Sequence, residues 1–264
     1  MRIGEKWLPY RQAEGFFTVH SVFNRVVNVS FGRELLSVAA VDAGGSSAFL
    51  SLADGNVNFG MSAGDRCVLR AGRLQMARHT VNFSDAPLWK GPIHKEYRHG
   101  KIKNENIAAF KAVLDRKAAP QSAWRYITAD GESRFSGLNA IRELRENPFR
   151  ARDLIGLGLG LTPAGDDILV GFLAAVNHLS ENRAYIDTLH SVIADSLDKT
   201  TDISARILDN ALDRDYHEFI QNCIRDLCER EKEEVYISTA TLINIGATSG
   251  SDIACGIYFG IIDS

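Results

Sequence analysis

The sequence predicts an α+β protein. A β-rich N-terminal domain, barrel- or sandwich-like, covers residues 1–100, and a mainly α-helical C-terminal domain covers residues 101–264. Three observations carry this prediction. Up to about Trp89, Val, Phe, Leu, Ser and Gly fall in short runs separated by turn signals. Beyond Asn106, apolar residues recur at helical spacing and the runs stop at prolines. Within that second part the pattern G-x-D-I-x-x-G occurs at Gly165–Gly171 and again at Gly250–Gly256, which points to an internal pseudo-repeat.

The chain has 264 residues, 45% hydrophobic and 24% charged, an ordinary globular composition with room for one large domain or two smaller ones. A formal charge of -3 excludes a dedicated nucleic-acid surface, which needs a basic excess to neutralise phosphates. Four scattered cysteines, Cys67, Cys223, Cys228 and Cys255, match no common metal or redox spacing and read as reduced thiols of a cytosolic protein. The opening "MRIGEKWLPYRQAEG" has charges where a signal peptide needs its apolar core. The longest apolar run, near Ile253 to Ile262, is far short of the roughly 20 residues of a membrane span. A soluble, cytoplasmic protein without membrane attachment is expected.

The strands come first. "FFTVHSVFNRVVNVSF" is rich in β-branched and aromatic residues, with Asn24, Arg25 and Asn28 as its polar exceptions. Next, "ELLSVAAVDAGGSSAFLSLADGNVNFG" holds two apolar runs divided at Asp42–Gly45 and closes on Asp54-Gly55. "DRCVLRAGRLQMARHTVNF" then adds two more around Ala71-Gly72. Between Lys90 and Asn106, "KGPIHKEYRHGKIKNEN" is polar and basic and reads as a connector or exposed hairpin. Helices follow. "NIAAFKAVLDRKAA" ends before Pro120 and "SGLNAIRELREN" before Pro148. "DDILVGFLAAVNHLS" places Ile168, Leu169, Phe172, Leu173 and Val176 on one face. "AYIDTLHSVIADSLDK", "SARILDNALDRDYHEFIQNCIRDLCER" and "EEVYISTATLINIG" continue the pattern.

The stretch "GLGLGLTPAGDD", Gly156 to Asp167, is the most unusual. It is no dinucleotide fingerprint, because Pro163 stands where the third glycine belongs and a helix rather than a strand precedes it. It is no P-loop either, because Asp166-Asp167 replaces the Lys-Ser/Thr pair and would repel phosphate. Local physics reads Thr162 as an N-cap, Pro163 as the first helical residue and the aspartates as complements to the helix dipole. That reading does not account for three alternating glycines, whose ordering is entropically costly.

The second copy, "INIGATSGSDIACGIYFG", supplies Thr248, Ser249 and Asp252, with Ser249-x-x-Asp252 resembling a capping box. Two such helix N-termini facing one another across a cleft would present backbone N–H groups to an anion. Asp166, Asp167 and Asp252 would then be the carboxylates of the site, able to hold Mg²⁺ or to act as acid and base. Gly165, at the opening of the first helix, is counted among the anion-binding residues. Between the copies, "DKTTDISARIL" places Thr200, Thr201 and Ser204 at a third helix start, as caps or as contacts to a ligand oxygen. Among the histidines, His94, His99, His178, His190 and His217 show no zinc spacing and no nucleophile triad.

In order and spacing, "GLGLTPAGDD", "TTDIS" and "GATSGSD" resemble the AllH-like family, whose named member is a subunit of oxamate carbamoyltransferase. The match runs from about Gly156 to Gly260. The resemblance implies a cytoplasmic subunit working with FdrA-like and AllG-like partner chains. That assembly moves a carbamoyl group between oxalurate and phosphate in allantoin and purine nitrogen use. On this reading Gly158, Gly160, Thr162, Thr200, Thr201, Thr248 and Ser249 supply donors, and Asp166, Asp167 or Asp252 positions a proton or a metal. The arginine expected for phosphate or carboxylate would be Arg152, Arg206 or one from a partner chain. Two rivals stand beside it. One is an independent Mg²⁺-dependent enzyme acting on a phosphorylated small metabolite. The other is a non-catalytic structural or regulatory subunit whose motifs are helix caps.

Overall fold

A computed structural model describes residues 1–53, 55–91, 102–128 and 136–262. The basic connector, with His94 and His99, falls mostly on 92–101, outside the described residues, as does Asp54 of the Asp-Gly turn. Contacts cluster into two compact units, Met1–Gly91 and Pro92–Ser264.

The N-terminal unit is one curled sheet of eight strands. These are β1 (Arg2–Ile3), β2 (Glu14–Val22), β3 (Val26–Phe31), β4 (Glu34–Ala40), β5 (Phe49–Leu52), β6 (Arg66–Arg70), β7 (Arg73–Met76) and β8 (His79–Asn82), in the order β1-β5-β4-β3-β2-β6-β7-β8. Neighbours are antiparallel except β4 and β5, which run parallel. The result is a half-barrel rather than a two-sheet sandwich. Its β1 edge is not bare, because Ile3 donates to the Pro87 carbonyl and accepts from the Trp89 N–H. A short 3-10 helix, Glu5–Arg11, drops Trp7 and Tyr10 into the curl against Phe17, Phe31 and Phe83. The Trp7 indole N–H is satisfied by the Ala48 carbonyl at 2.8 Å. Of the polar strand residues, Arg25 is outward and paired with Asp42. Asn28 is buried between Ser21 and Ser37 and hydrogen-bonds both.

The second unit holds ten α-helices among the described residues. They are α1 (Asn104–Lys117), α2 (Ala123–Thr128), α3 (Ala140–Glu143), α4 (Ala151–Leu154), α5 (Ala164–Leu179), α6 (Arg183–Ala194), α7 (Asp202–Leu212), α8 (Glu218–Glu229), α9 (Lys232–Leu242) and α10 (Ser249–Ile261). Several expectations need correction. The apolar residues of α5 do not form one face: every residue from Gly165 to His178 is buried, so this is a central helix with apolar neighbours all round. The long run from Ser204 to Arg230 is two helices, broken where Arg214 takes a φ of 61°.

Helix α10 lies directly beside α5, and glycine makes this contact. A Cβ on Gly171 would fall 1.9 Å from the Ile253 carbonyl oxygen, and one on Gly256 would fall 1.9 Å from that of Ile168. The two contacts are reciprocal, because Gly171 and Gly256, like Ile168 and Ile253, are the matching positions of the pseudo-repeat. Farther along, Gly260 meets Phe172 and Ala175. Contacts thus advance together along both helices, which run parallel with their N-termini at the same end. Even the approaches match. Leu157 donates to Leu154 and accepts from Gly165, as Ile245 donates to Leu242 and accepts from Gly250.

Candidate functional site

Side by side, the N-terminal ends of α5 and α10 bring the motif residues together. Instead of facing each other across a cleft, the two ends are packed against each other, and the Thr162 and Ser249 hydroxyls meet at 2.9 Å. Thr162 is therefore not the N-cap of α5. Pro163 occupies that position in extended conformation, and the helix begins one residue later than the sequence suggests. Ser249-x-x-Asp252 is likewise no capping box. Thr248 is the N-cap residue, and the Asp252 carboxylate reaches across to accept the Ala123 N–H at the start of α2, at 2.6 Å.

The backbone N–H groups of Gly165 and Gly250 are already bonded to the loop carbonyls of Leu157 and Ile245, at 2.8 and 2.9 Å. The loop leading into α5 needs glycine. Gly158 has a φ of 128°, and a Cβ there would lie 2.7 Å from the Ala164 nitrogen. Gly158, Leu159, Gly160 and Leu161 form an exposed tip, with Leu159 93% exposed.

Below this tip are three buried carboxylates, and their surroundings differ. Asp166 is 1% exposed and fully partnered: Oδ1 accepts the Gly156 N–H at 2.8 Å and Oδ2 accepts the Thr200 hydroxyl. Burial raises its pKa, and those hydrogen bonds, with one from Ser204, oppose the rise. Thr201 caps α7 by accepting the Ser204 N–H at 3.2 Å and donates to the Leu161 carbonyl at 2.5 Å, tying the loop down. One threonine is thus a cap and the other a carboxylate partner.

Asp167 and Asp252 occupy matching positions on the two helices and are 3% and 0% exposed. In each, Oδ2 is buried with no hydrogen-bond partner. Burial holds the Asp167 carboxyl well above the usual carboxylate range; the Ser249 hydroxyl opposes this, while the charges of Asp252 and Asp166 add to it. Burial pushes Asp252 up to about 7, against the Ala123 N–H and the Thr248 hydroxyl. Two such groups side by side favour a state holding at least one proton. A carboxyl that keeps its proton can donate as well as accept.

Among the described residues, no group of three or more His, Cys, Asp or Glu side chains is placed to hold a metal ion. Three aspartates at one end of a helix pair do not amount to a cation cage, since Asp166 is already committed to its own partners. Arg206 pairs with Asp209 at 3.1 Å, and Arg152 lies over the Phe149 ring in a surface groove of about 490 Å³ with Asp187 and Asp195. A second groove of about 230 Å³ lies between α8 and α9. Neither groove is lined by the motif residues.

One cluster was not legible in the sequence. At the opposite end of α5, the Asn177 carbonyl oxygen meets His190 Nε2 at 2.8 Å and its amide donates to the Tyr216 hydroxyl at 2.8 Å. The Tyr216 hydroxyl donates to the Ala211 carbonyl, and His178 Nδ1 pairs with that of Ala174. The helical period places Asn177 and His178 at the end of α5, but α6 and the turn after α7 supply the partners, and no short-range spacing encodes that meeting. His217 caps α8.

Residues 154–261 match the model of a protein family described as oxamate carbamoyltransferase subunit AllH. The matched stretch begins at the last residue of α4 and ends at the last residue of α10, so it spans both copies of the pseudo-repeat. No solved structure matches the chain. No helix of the described residues is long and apolar enough to cross a membrane.

Proposed function

We propose that this chain is a subunit of a carbamoyltransferase of the oxamate carbamoyltransferase type, acting with FdrA-like and AllG-like partner chains in allantoin and purine nitrogen use. The observation that carries the reading is the family match over 154–261, which holds all three motifs meeting at the N-terminal ends of α5 and α10. The reaction transfers the carbamoyl group of oxalurate to phosphate. A phosphate oxygen bonds to the ureido carbonyl carbon, the bond from that carbon to the oxamate nitrogen breaks, and the departing nitrogen takes a proton.

Asp167 and Asp252 suit the proton step, because burial keeps them protonated toward neutral pH, where an ordinary aspartate is already ionised. Asp166 acts through position: it ties Gly156 and Thr200 together and so sets the glycine loop. Thr162, Ser249 and Thr248, with the backbone at Gly158 and Gly160, supply donors for the carbonyl oxygen as charge develops on it. Gly165, Thr200, Thr201 and Ser204 hold the loop and the start of α7. Phosphate needs a cation that these motifs lack, so an arginine of a partner chain completes the site. The soluble, cytoplasmic setting goes with this reading.

The test is reconstitution with the two partner chains and measurement of carbamoyl phosphate formed from oxalurate and phosphate. Turnover that requires this chain and falls about 100-fold or more in Asp167→Asn supports the reading. Full turnover without this chain overturns it. A second reading, a non-catalytic subunit, draws on the Gly165 and Gly250 N–H groups already being bonded within the chain. It predicts that Asp167→Asn leaves turnover unchanged.

A further inference from the structure

The surface groove of about 490 Å³ has two walls of opposite charge. One wall is α6, where Asp187, Ser191 and Asp195 follow at intervals of four residues and so form a single stripe along the helix. The other is the turn into α4, where the Arg152 guanidinium lies over the Phe149 ring at 5.5 Å. Buried Val192 also lines the groove. Among the described residues neither Asp187 nor Asp195 has an ion-pair partner, and Arg152 meets a ring rather than a carboxylate. Phe149 is 53% exposed, and an exposed aromatic stacked with arginine is the pairing in which interface energy concentrates. Both walls also lead to the glycine loop. Helix α4 ends two residues before Gly156. The chain after Asp195 passes through a short 3-10 helix, Leu197–Lys199, to the Lys199 carbonyl that packs against Gly156 and to Thr200, which donates to Asp166.

We propose that this groove seats a helix of a partner subunit, one with two basic residues about two turns apart for Asp187 and Asp195 and a carboxylate for Arg152. Charge complementarity selects this occupant. Asp187 and Asp195 stand eight positions apart, about 12 Å along α6 at 1.5 Å per residue. A small zwitterion has one ammonium group and cannot meet both carboxylates. A helix lying along α6 rises at the same rate, so Lys or Arg at positions i and i+7 or i+8 meets both. An acidic residue on its other flank meets Arg152, and an apolar one between them covers Phe149 and Val192. A second copy of this chain does not supply the occupant. No α-helix of the described residues carries two Lys or Arg side chains seven or eight positions apart.

The inference rests on the proposed function for the existence of partner chains and adds the surface and the chemistry by which they bind. It is tested by calorimetric titration of the full chain with the two partner chains, at low and at high salt. The double variant Asp187→Lys/Asp195→Lys places like charges against the basic helix and is expected to weaken assembly at least about 100-fold. Phe149→Ala is expected to weaken it about 10- to 30-fold. Parent affinity should fall as salt rises, and the double variant should lose most of that dependence. Glu233→Lys/Glu234→Lys makes the same change of net charge at exposed positions of α9 and should alter affinity by less than about threefold. All three groove positions are exposed, and Phe149→Ala decides the matter if the double variant fails to fold. Groove variants with parent affinity, an α9 variant that weakens assembly as much, or an effect confined to self-association of this chain overturns the inference. Failure of the parent chain to bind either partner chain overturns both the inference and the proposed function. Assembly that depends on the groove but forms no carbamoyl phosphate keeps the groove and sinks the reaction; turnover and affinity both untouched in the groove variants keep the reaction and sink the groove.

Discussion

The two ends of helix α5 both bury polar side chains, and they solve the problem in opposite ways. At the C-terminal end, Asn177, His190 and Tyr216 close a hydrogen-bond network that links α5, α6 and the turn after α7, while His178 beside them bonds the Ala174 carbonyl of its own helix. At the N-terminal end, Asp167 and Asp252 are as deeply buried and each leaves an oxygen unpaired. A satisfied network contributes to stability and fixes helix positions. An unsatisfied one costs stability, and a protein that carries such a cost at two matched positions gains something from it elsewhere. The first end is structural, and the second is the end we propose as functional.

The sharpest way to break this comparison is to disturb the helix contact that supports both ends. Gly256→Val puts a branched side chain where even a Cβ overlaps the Ile168 carbonyl. It is expected to cost at least the upper part of the about 1–3 kcal/mol typical of overpacking, read as a lowered denaturant midpoint or loss of folded protein. An unchanged midpoint shows that α5 and α10 are not held as close as described.

Next in size is the structural end. Asn177→Ala leaves His190 Nε2 without its partner and removes the amide donor from the Tyr216 hydroxyl, and is expected to cost about 1–3 kcal/mol while leaving turnover in the reconstituted assembly intact. The functional end should respond the other way. Asp252→Asn removes a buried acid and should change stability by less than about 1 kcal/mol at pH 7, or raise it, while stopping turnover in the reconstituted assembly. If Asp252→Asn unfolds the chain and Asn177→Ala abolishes turnover, the assignment of the two ends is reversed.

The smallest effect is the pH dependence, and its signs are opposite at the two ends. Asp252 has its pKa raised to about 7, so between the usual aspartate value and 7 the folded state holds a proton that the unfolded chain has released. Its contribution to stability is therefore present at low pH and fades as pH rises through about 7. His178 and His190 have their pKa values lowered by burial, with the Arg214 charge adding to it for both. Below about 6.5 the unfolded chain takes protons that the folded one refuses, so this end loses stability as pH falls. Thermal midpoints across pH 5–8 should show Asp252→Asn flattening the alkaline side and His178→Gln the acid side. If neither variant alters its side of the profile, these groups titrate as they do in the unfolded chain.

Much of this was legible beforehand. Alternating short apolar runs gave away the sheet, helical spacing the second unit, and the duplicated G-x-D-I-x-x-G the α5–α10 pair. The repeat did not reveal that the helices run parallel and touching, because the reason for Gly171 and Gly256 lies in the opposite backbone rather than in either helix. Cap positions slipped by one residue: Pro163 stays extended and frees Thr162 to meet Ser249. The Asp252 side chain reads locally as a cap, and only the fold brings Ala123 to it across more than half of the second unit. The half-barrel could not be told from a sandwich, because a curled sheet and two packed sheets share the same strand pattern.

The most direct test of the central claim is the Asp252→Asn chain, assayed for both folding stability and carbamoyl phosphate formation in the reconstituted assembly. A midpoint within about 1 kcal/mol of the parent, together with a loss of turnover of about 100-fold or more, is the predicted result. Full turnover from a stable Asp252→Asn chain would contradict it and leave the paired carboxyls as structural groups.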